Sequence, residues 1–210
     1  AEDKEVTKHR TIIDDNSKVL IAGTLPGDDS EDAKRYYVDA RNAMGEILEG
    51  LRACTDLDDQ EMYLSGKAVA LGDVYSSAGR EGSSDGKIKD AAPNKELMEG
   101  IVSHPNIATI LFNGKEAFNG FKKLLVYYYN KLSRLGWRKM LQPIKGGADI
   151  HLKEGGTFHI EHACTLNLAD TQRTIICYMM PSTSGANTTL CKKAKANIWK
   201  GALKGSGAKL

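Results

Sequence analysis

Residues 18–30 read KVLIAGTLPGDDS. The first half is a compact apolar run that ends at Gly23 without polar alternation, the pattern of a strand buried on both faces. The second half, Thr24 to Ser30, is a polar loop stiffened by Pro26, in which glycine lets the backbone approach a ligand closely. Similar apolar runs recur at 67–71 (KAVAL), 107–112 (IATILF) and 173–180 (RTIICYMM). Helical patterns lie between them. Residues 41–52 set Ala43, Ile47, Leu48 and Leu51 on one face, and 94–103 open at Pro93-Asn94 and carry Leu97, Ile101 and Val102. Residues 115–132 space Phe118, Phe121, Leu124, Leu125 and Tyr128 helically, and 187–203 start at Asn187 and hold Leu190, Ala194, Ile198 and Trp199. Buried strands alternating with helices predict an α/β fold with a parallel sheet, right-handed crossovers and helices on both faces. Ligands in such sheets bind beyond the carboxyl ends of the strands. The loops to interrogate are therefore 24–30, 72–79, 113–115 and 181–187.

The 210 residues suffice for one domain, and a single domain over 1–210 is expected, with 1–17 as an N-terminal extension. Segment 143–170, rich in Gly and His, does not fit the alternation; it reads as an insertion with a hairpin at 157–166, and 204–210 as a disordered tail. No apolar run reaches the roughly 18–20 residues needed to span a bilayer. The opening AEDKEVTKHR does not read as a signal peptide, and the four scattered cysteines form no CxxC pair. A soluble protein of the cytoplasm or nucleus with reduced thiols is expected, without membrane contact.

Charge is unevenly spread. Residues 1–61 hold 16 Asp/Glu against 8 Lys/Arg, a net −8, which leaves +10 on the remainder. Residues 188–210 hold six lysines and no acid, a composition that suits either a polyanionic partner or a solvated helix face. The first loop lacks both GxGxxG and GxxxxGK[ST] spacing, so neither a dinucleotide nor a P-loop site is indicated. Tyr36-Tyr37 offers a flat surface for stacking a planar ligand, while Asn42 stands where it could cap a helix. Ser182, Thr183 and Ser184 gather hydroxyls ahead of the lysine-rich helix, which suits phosphate contact or simple capping.

The motifs GTLPGDDS, YYVDARNAMGEIL, ALGDVYSSAGREGSSDGKIKDAAPN, HPNIATILFNGKEAF and MMPSTSGAN stand in the order and rough spacing of the hypoxanthine-DNA glycosylase branch of the uracil-DNA glycosylase superfamily. Together they cover 19–125 and 173–200. The chain resembles that branch, and the resemblance implies a three-layer α/β/α sandwich around a four-stranded parallel sheet. It further implies monofunctional excision of a deaminated base, hypoxanthine first, by base flipping and water attack, with no cofactor and no metal. Many superfamily members orient the water with an acid or amide in the first loop. Thr24 and Leu25 occupy that place here as base-pocket residues without such a group, and the resemblance then assigns the catalytic role to Asn42. It makes Tyr37 the stacking aromatic and Asp73 the base reader, because a carboxylate accepts from N1–H of hypoxanthine and repels the bare N1 of adenine; a turn cap or a pair with Arg80 is the other reading of Asp73. Ser182, Thr183, Ser184 and Asn187, with Lys192 and Lys193, become the DNA-backbone contacts, and Asn113 a structural residue of its loop. The implied partner is DNA with a deaminated base, bound by a monomer.

The branch usually reads His-Pro-Arg-Asn-x-Phe-Trp where this chain has Asp39 to Gly45, and Trp where it has Gly72. Such losses fit a remodelled pocket, repacking against 143–170, or weakened catalysis. Uracil or mismatch-specific excision, or DNA binding without catalysis, are accordingly the alternatives. His159, His162 and Cys164 resemble metal ligands in sequence, but on a strand His159 faces away from the other two.

Overall fold

The computed structural model describes residues 3–81, 85–130, 136–168 and 171–210. The four apolar runs form β2 (Val19–Gly23), β3 (Val69–Asp73), β6 (Thr109–Asn113) and β11 (Arg173–Met180), parallel to one another in the order β3-β2-β6-β11. All five residues of β2 and of β3 are buried, as a strand covered on both faces requires. The expected four-stranded sheet is in fact six-stranded. β10 (Ala163–Leu168) and β7 (Leu141–Pro143) extend it antiparallel beyond β11. The residues 143–170, read as an insertion outside the alternation, thus supply part of the central sheet. Their hairpin is β8 (Ala148–His151) with β9 (Thr157–Ile160), not 157–166, and it turns through Gly155 and Gly156 at φ 91° and 82°, a region that glycine enters without a Cβ clash. A third sheet pairs β1 (Lys4–Thr7), β4 (Tyr75–Arg80) and β5 (Ile88–Pro93). Through it, and through the Ile12–Leu71 bridge, the N-terminal segment is knitted onto the body.

Helices α1 (Asp28–Ala33), α2 (Met44–Ile47), α3 (Leu57–Lys67), α4 (Lys95–Ser103), α5 (Lys115–Tyr129), α6 (Trp137–Met140) and α7 (Lys192–Gly205) complete the described elements. Strand pleat divides the core in two. Leu20, Ala22, Ile110 and Phe112 point into one cluster with Leu97, Met98 and Ile101 of α4 and Phe121, Leu124 and Leu125 of α5. Val19, Ile21, Val69 and Leu111 point into the other, with Ile47, Leu64 and, from α7, Ile198, Trp199 and Leu203. Helices on both faces of a largely parallel sheet make the three layers. Leu20 and Trp199 are wholly buried, and truncating either to Ala costs about 2–5 kcal/mol.

Three helices depart from the sequence reading: α2 is shorter than its apolar face, α7 starts at Lys192 rather than at Asn187, and α3 lies where no helix is predicted. The apolar face over 41–52 is real, with Ala43, Ile47, Leu48 and Leu51 buried, but the backbone leaves the helix at Leu48, and Leu51 N–H donates to Leu48 O in a tighter turn. Helix α3 buries only Gln60 and Leu64, so it carries no apolar stripe; it is started instead by the Asp56 side chain, which accepts from Asp59 N–H at 2.8 Å. The segment 204–210 is not a loose tail: Ala208 is buried and Lys209 N–H donates to Lys67 O at 2.8 Å. Among the described residues no helix is long and apolar enough to cross a membrane.

Candidate active site

The loops after β2, β6 and β11 and the end of β3 converge on one cleft of about 400 Å³, on the side of the sheet where the strands end. Thr24, Leu25, Tyr37, Asn42, Asp73, Ser182, Ser184 and Asn187 all line it. Eight residues from four separate stretches of sequence therefore share one cavity. Thr183, Lys192 and Lys193 are not among its lining residues.

Gly23 ends β2 beneath the cleft. A Cβ there would fall 2.9 Å from Asp73 Oδ1 and 3.2 Å from Tyr37 Oη, so the missing side chain is what lets the carboxylate and the phenol come together. Asp73 is 4% exposed, and its backbone carbonyl accepts from Asn94 Nδ2 at 2.8 Å, which fixes the end of β3. Arg80 is buried and reaches the Pro26 carbonyl, bracing the first loop from behind. The adjacent tyrosines divide their work. Tyr36 is a core residue whose hydroxyl donates to Arg10 O at 2.8 Å, and burial pushes its phenol well above the ordinary range. Tyr37 is half-buried and faces the cleft at φ 53°, a left-handed conformation costing on the order of 1–3 kcal/mol that its surroundings must hold.

Asn113 is the bracket of the site. Its Nδ2 donates to Tyr37 Oη at 3.2 Å and to Thr183 Oγ1 at 2.8 Å, while its Oδ1 accepts from Thr183 N–H at 2.9 Å. Thr183, expected on the DNA face, is instead fully buried. It couples Asn113 to the second motif, since its carbonyl accepts from Ala43 N–H at 2.9 Å. Asn42 lies one residue away from that contact. Its Oδ1 accepts from Met44 N–H at 3.0 Å in an Asx turn leading into α2, so part of its capacity is structural, and the oxygen keeps a second lone pair. Asp39 grips its neighbour Arg41 through two side-chain contacts at 2.9–3.0 Å, and the guanidinium holds its carboxyl below the usual carboxylate range.

Lys193 is exposed, whereas Lys192 is tied to Glu46 at 2.9 Å and to Ala40 O at 2.6 Å, so part of its charge is already neutralised. The missing aromatics have physical substitutes. A Cβ at Gly72 would meet Leu97 Cδ1 at 2.6 Å, and one at Gly45 would meet the Arg52 guanidinium at 2.0 Å, so helix α4 and Arg52 fill those places. His159 pairs with Asp149 at 2.8 Å across the β8–β9 hairpin, and among the described residues no group of three or more His, Cys, Asp or Glu could hold a metal ion.

Three neighbours have no site role in the sequence reading. His9 lines the cleft edge-on to Tyr36, with ring centroids 5.2 Å apart, and burial lowers its pKa; an isolated histidine in an N-terminal stretch gives no signal of this. Lys115 enters the cleft at the start of α5. Lys195 was legible in principle, because it falls on the same helical stripe as Ile198, Trp199 and Ala202.

A cleft with a flat ring, a buried carboxylate and an amide, rimmed by a serine-rich loop, fits an enzyme that holds a base outside its stack beside a phosphate backbone. The chain belongs to the uracil DNA glycosylase superfamily, whose profile matches residues 11–202, and it is a DNA N-glycosylase, a hydrolase of N-glycosidic bonds. It is similar to the hypoxanthine DNA glycosylase of Methanosarcina barkeri, 32% identical over 111 residues that make up 50% of this chain and 69% of that one. It is also similar to the hypoxanthine DNA glycosylase of Methanosarcina acetivorans, 28% identical over 151 residues, 66% of this chain and 84% of that one. In fold it is similar to a solution NMR structure from Methanosarcina acetivorans described as a candidate uracil DNA glycosylase, with a TM-score of 0.54 and 21% identity over 96% of this chain and 99% of that one.

Proposed function

We propose that the chain excises hypoxanthine from DNA by hydrolysis, and that Tyr37, Asp73 and Asn42 carry the reaction. The observation that supports this most is that the three line a single cleft at the carboxyl ends of the parallel strands. In this reading the flipped base stacks on Tyr37, a contact contributing on the order of 1–3 kcal/mol. The Asp73 carboxylate accepts from N1–H. Adenine, with a lone pair at N1, is repelled there, so the deaminated base is separated from its parent. The C1′–N9 bond breaks with its electron pair leaving on the base, water adds to C1′, and the proton that the water gives up ends on the departed base anion. Asn42 orients that water through the lone pair of Oδ1 not used by Met44 N–H. The products are free hypoxanthine and an abasic site. Ser182, Ser184 and Asn187 contact the DNA backbone beside the cleft, and Lys193 lies in reach of flanking phosphates.

Uracil presents the same N–H beside a carbonyl that Asp73 would read, so uracil excision is the second reading. The test uses end-labelled duplexes with a single hypoxanthine, uracil or xanthine, treated with alkali after incubation. Strand cleavage at hypoxanthine above the other two supports the proposal; cleavage at uracil alone transfers the assignment to the second reading. Binding without cleavage at any base refutes both.

A further inference from the structure

Lys195 is 3% exposed, on the stripe by which α7 packs on the body. Its Nζ donates to Ser184 O at 2.9 Å and to Asn187 O. Among the described residues no carboxylate is in ion-pair contact with it, and burial pushes its pKa down. An ammonium in this setting carries a large desolvation penalty, and two carbonyls are what it receives in exchange. Both belong to the loop 181–187, whose Ser182, Ser184 and Asn187 line the cleft. The same helix holds the start of the loop, where Trp199 Nε1 donates to Pro181 O at 2.9 Å. Within a trans peptide unit C=O and N–H point in opposite directions. Drawing the Ser184 and Asn187 carbonyls onto Lys195 therefore turns the N–H groups of Gly185 and Thr188 away from the helix, and neither has an acceptor among the described residues.

We infer that Lys195 is a positioning residue: its buried ammonium sets the loop 181–187 in the conformation that meets the DNA backbone, without touching DNA itself. The inference rests on the glycosylase reading of the cleft. Its role differs from that of Lys193, which is exposed and suited to meeting phosphate directly.

The test compares the full chain with Lys195→Met, which keeps length and apolar packing, and Lys195→Gln, which keeps one donor. Hydrogen exchange of the free proteins is followed in peptides over 181–191 and over the sheet. Affinity is measured for a duplex bearing a tetrahydrofuran abasic analogue, and single-turnover cleavage at saturating hypoxanthine duplex. Lys195→Met is expected to speed exchange over 181–191 at least tenfold with the sheet unchanged, to raise Kd about tenfold, and to change the saturating rate less than threefold. Lys195→Gln is expected in between, and it carries the comparison if the Met variant does not fold. Unchanged loop exchange in a folded variant overturns the inference. So does exchange accelerated equally in loop and sheet, which would make Lys195 a general stabiliser. A wild-type chain that neither binds nor cleaves DNA refutes the glycosylase reading, while the exchange comparison still decides what Lys195 does to the loop.

Discussion

Asn42→Ala separates the turn contact that the structure shows for this side chain from the catalytic role proposed for it. Oδ1 accepts from Met44 N–H at 3.0 Å and so supports the single turn of α2. Losing that bond costs about 1 kcal/mol, or roughly 2–4 °C in Tm for a domain of this size. Losing the residue that orients the attacking water costs more, because misplacing a reacting group by about 1 Å lowers the rate about a hundredfold. That factor corresponds to about 2.7 kcal/mol of barrier. Met44 is wholly buried and Ala43 N–H is held independently by Thr183 O, so the main chain around residue 42 has other anchors and the fold survives. The expectation is a Tm lowered by a few degrees, nearly unchanged affinity for an abasic-analogue duplex, and a single-turnover rate on hypoxanthine duplex down by about 10² or more. Asn42→Asp serves as the control. Aspartate forms the same Asx turn and keeps an acceptor oxygen, so Tm should stay near wild type and much of the rate should return. A wild-type single-turnover rate in Asn42→Ala, beside the lowered Tm, would reduce Asn42 to a turn residue and refute the mechanism drawn for it.

Four further outcomes are expected. Asp73→Asn removes a buried charged acceptor, so kcat/KM on hypoxanthine duplex should fall by roughly ten- to a hundredfold, following the 1.5–3 kcal/mol of a charge-assisted hydrogen bond; an unchanged value removes Asp73 from base reading. His9 has its pKa lowered by burial from 6.5, so the unfolded state takes up the proton first and stability is lost as pH falls below about 6.5. Tm measured from pH 8 to 5 should decline less in His9→Gln than in wild type, and identical slopes would contradict this. Gly72→Trp, which restores the branch's residue, drives a Cβ to 2.6 Å from Leu97 Cδ1, so a thermal melt should show about 2–3 kcal/mol of destabilisation, or roughly 5–10 °C. Lys193→Ala should weaken DNA binding and reduce the salt slope of log Kd by about one, while Lys192→Ala, already paired with Glu46, should change it less; equal slopes for the two would contradict the difference in their surroundings.

The parallel core was legible because both of its signals are local. Each buried strand writes itself as an apolar run of β length, and a cleft beyond the carboxyl ends follows from the topology. What was not legible is whatever depends on pairing across distance. Strand β7 is three residues with only Leu141 buried, and β10 alternates weakly, so neither announces that it joins β11 to widen the sheet. Helix α3 is mostly solvated and ends at Ala68 in a left-handed conformation that glycine usually marks, so both its face and its stop were unmarked. Among the site residues, motif order placed Tyr37, Asn42 and Asp73 in one cavity, but it did not distinguish a side chain facing the cleft from one facing the core.

Thr183 and Lys195 show why. Thr183 stands between two serines that line the cleft, yet it points inward to Asn113, since alternation along an extended loop sends neighbours to opposite sides. Lys195 was counted with five other lysines as surface charge, although its spacing to Trp199 and Ala202 already put it on the buried stripe. Charge pointed outward and periodicity pointed inward. In the fold periodicity prevailed, because the backbone of α7 fixes where the Cβ points, and the ammonium then had to find carbonyls rather than water. The loop 181–187 supplied them. In the proposed reading the lysine-rich segment divides into exposed residues suited to phosphate, such as Lys193, and one buried residue, Lys195, that holds the loop 181–187, a division that net charge does not reveal.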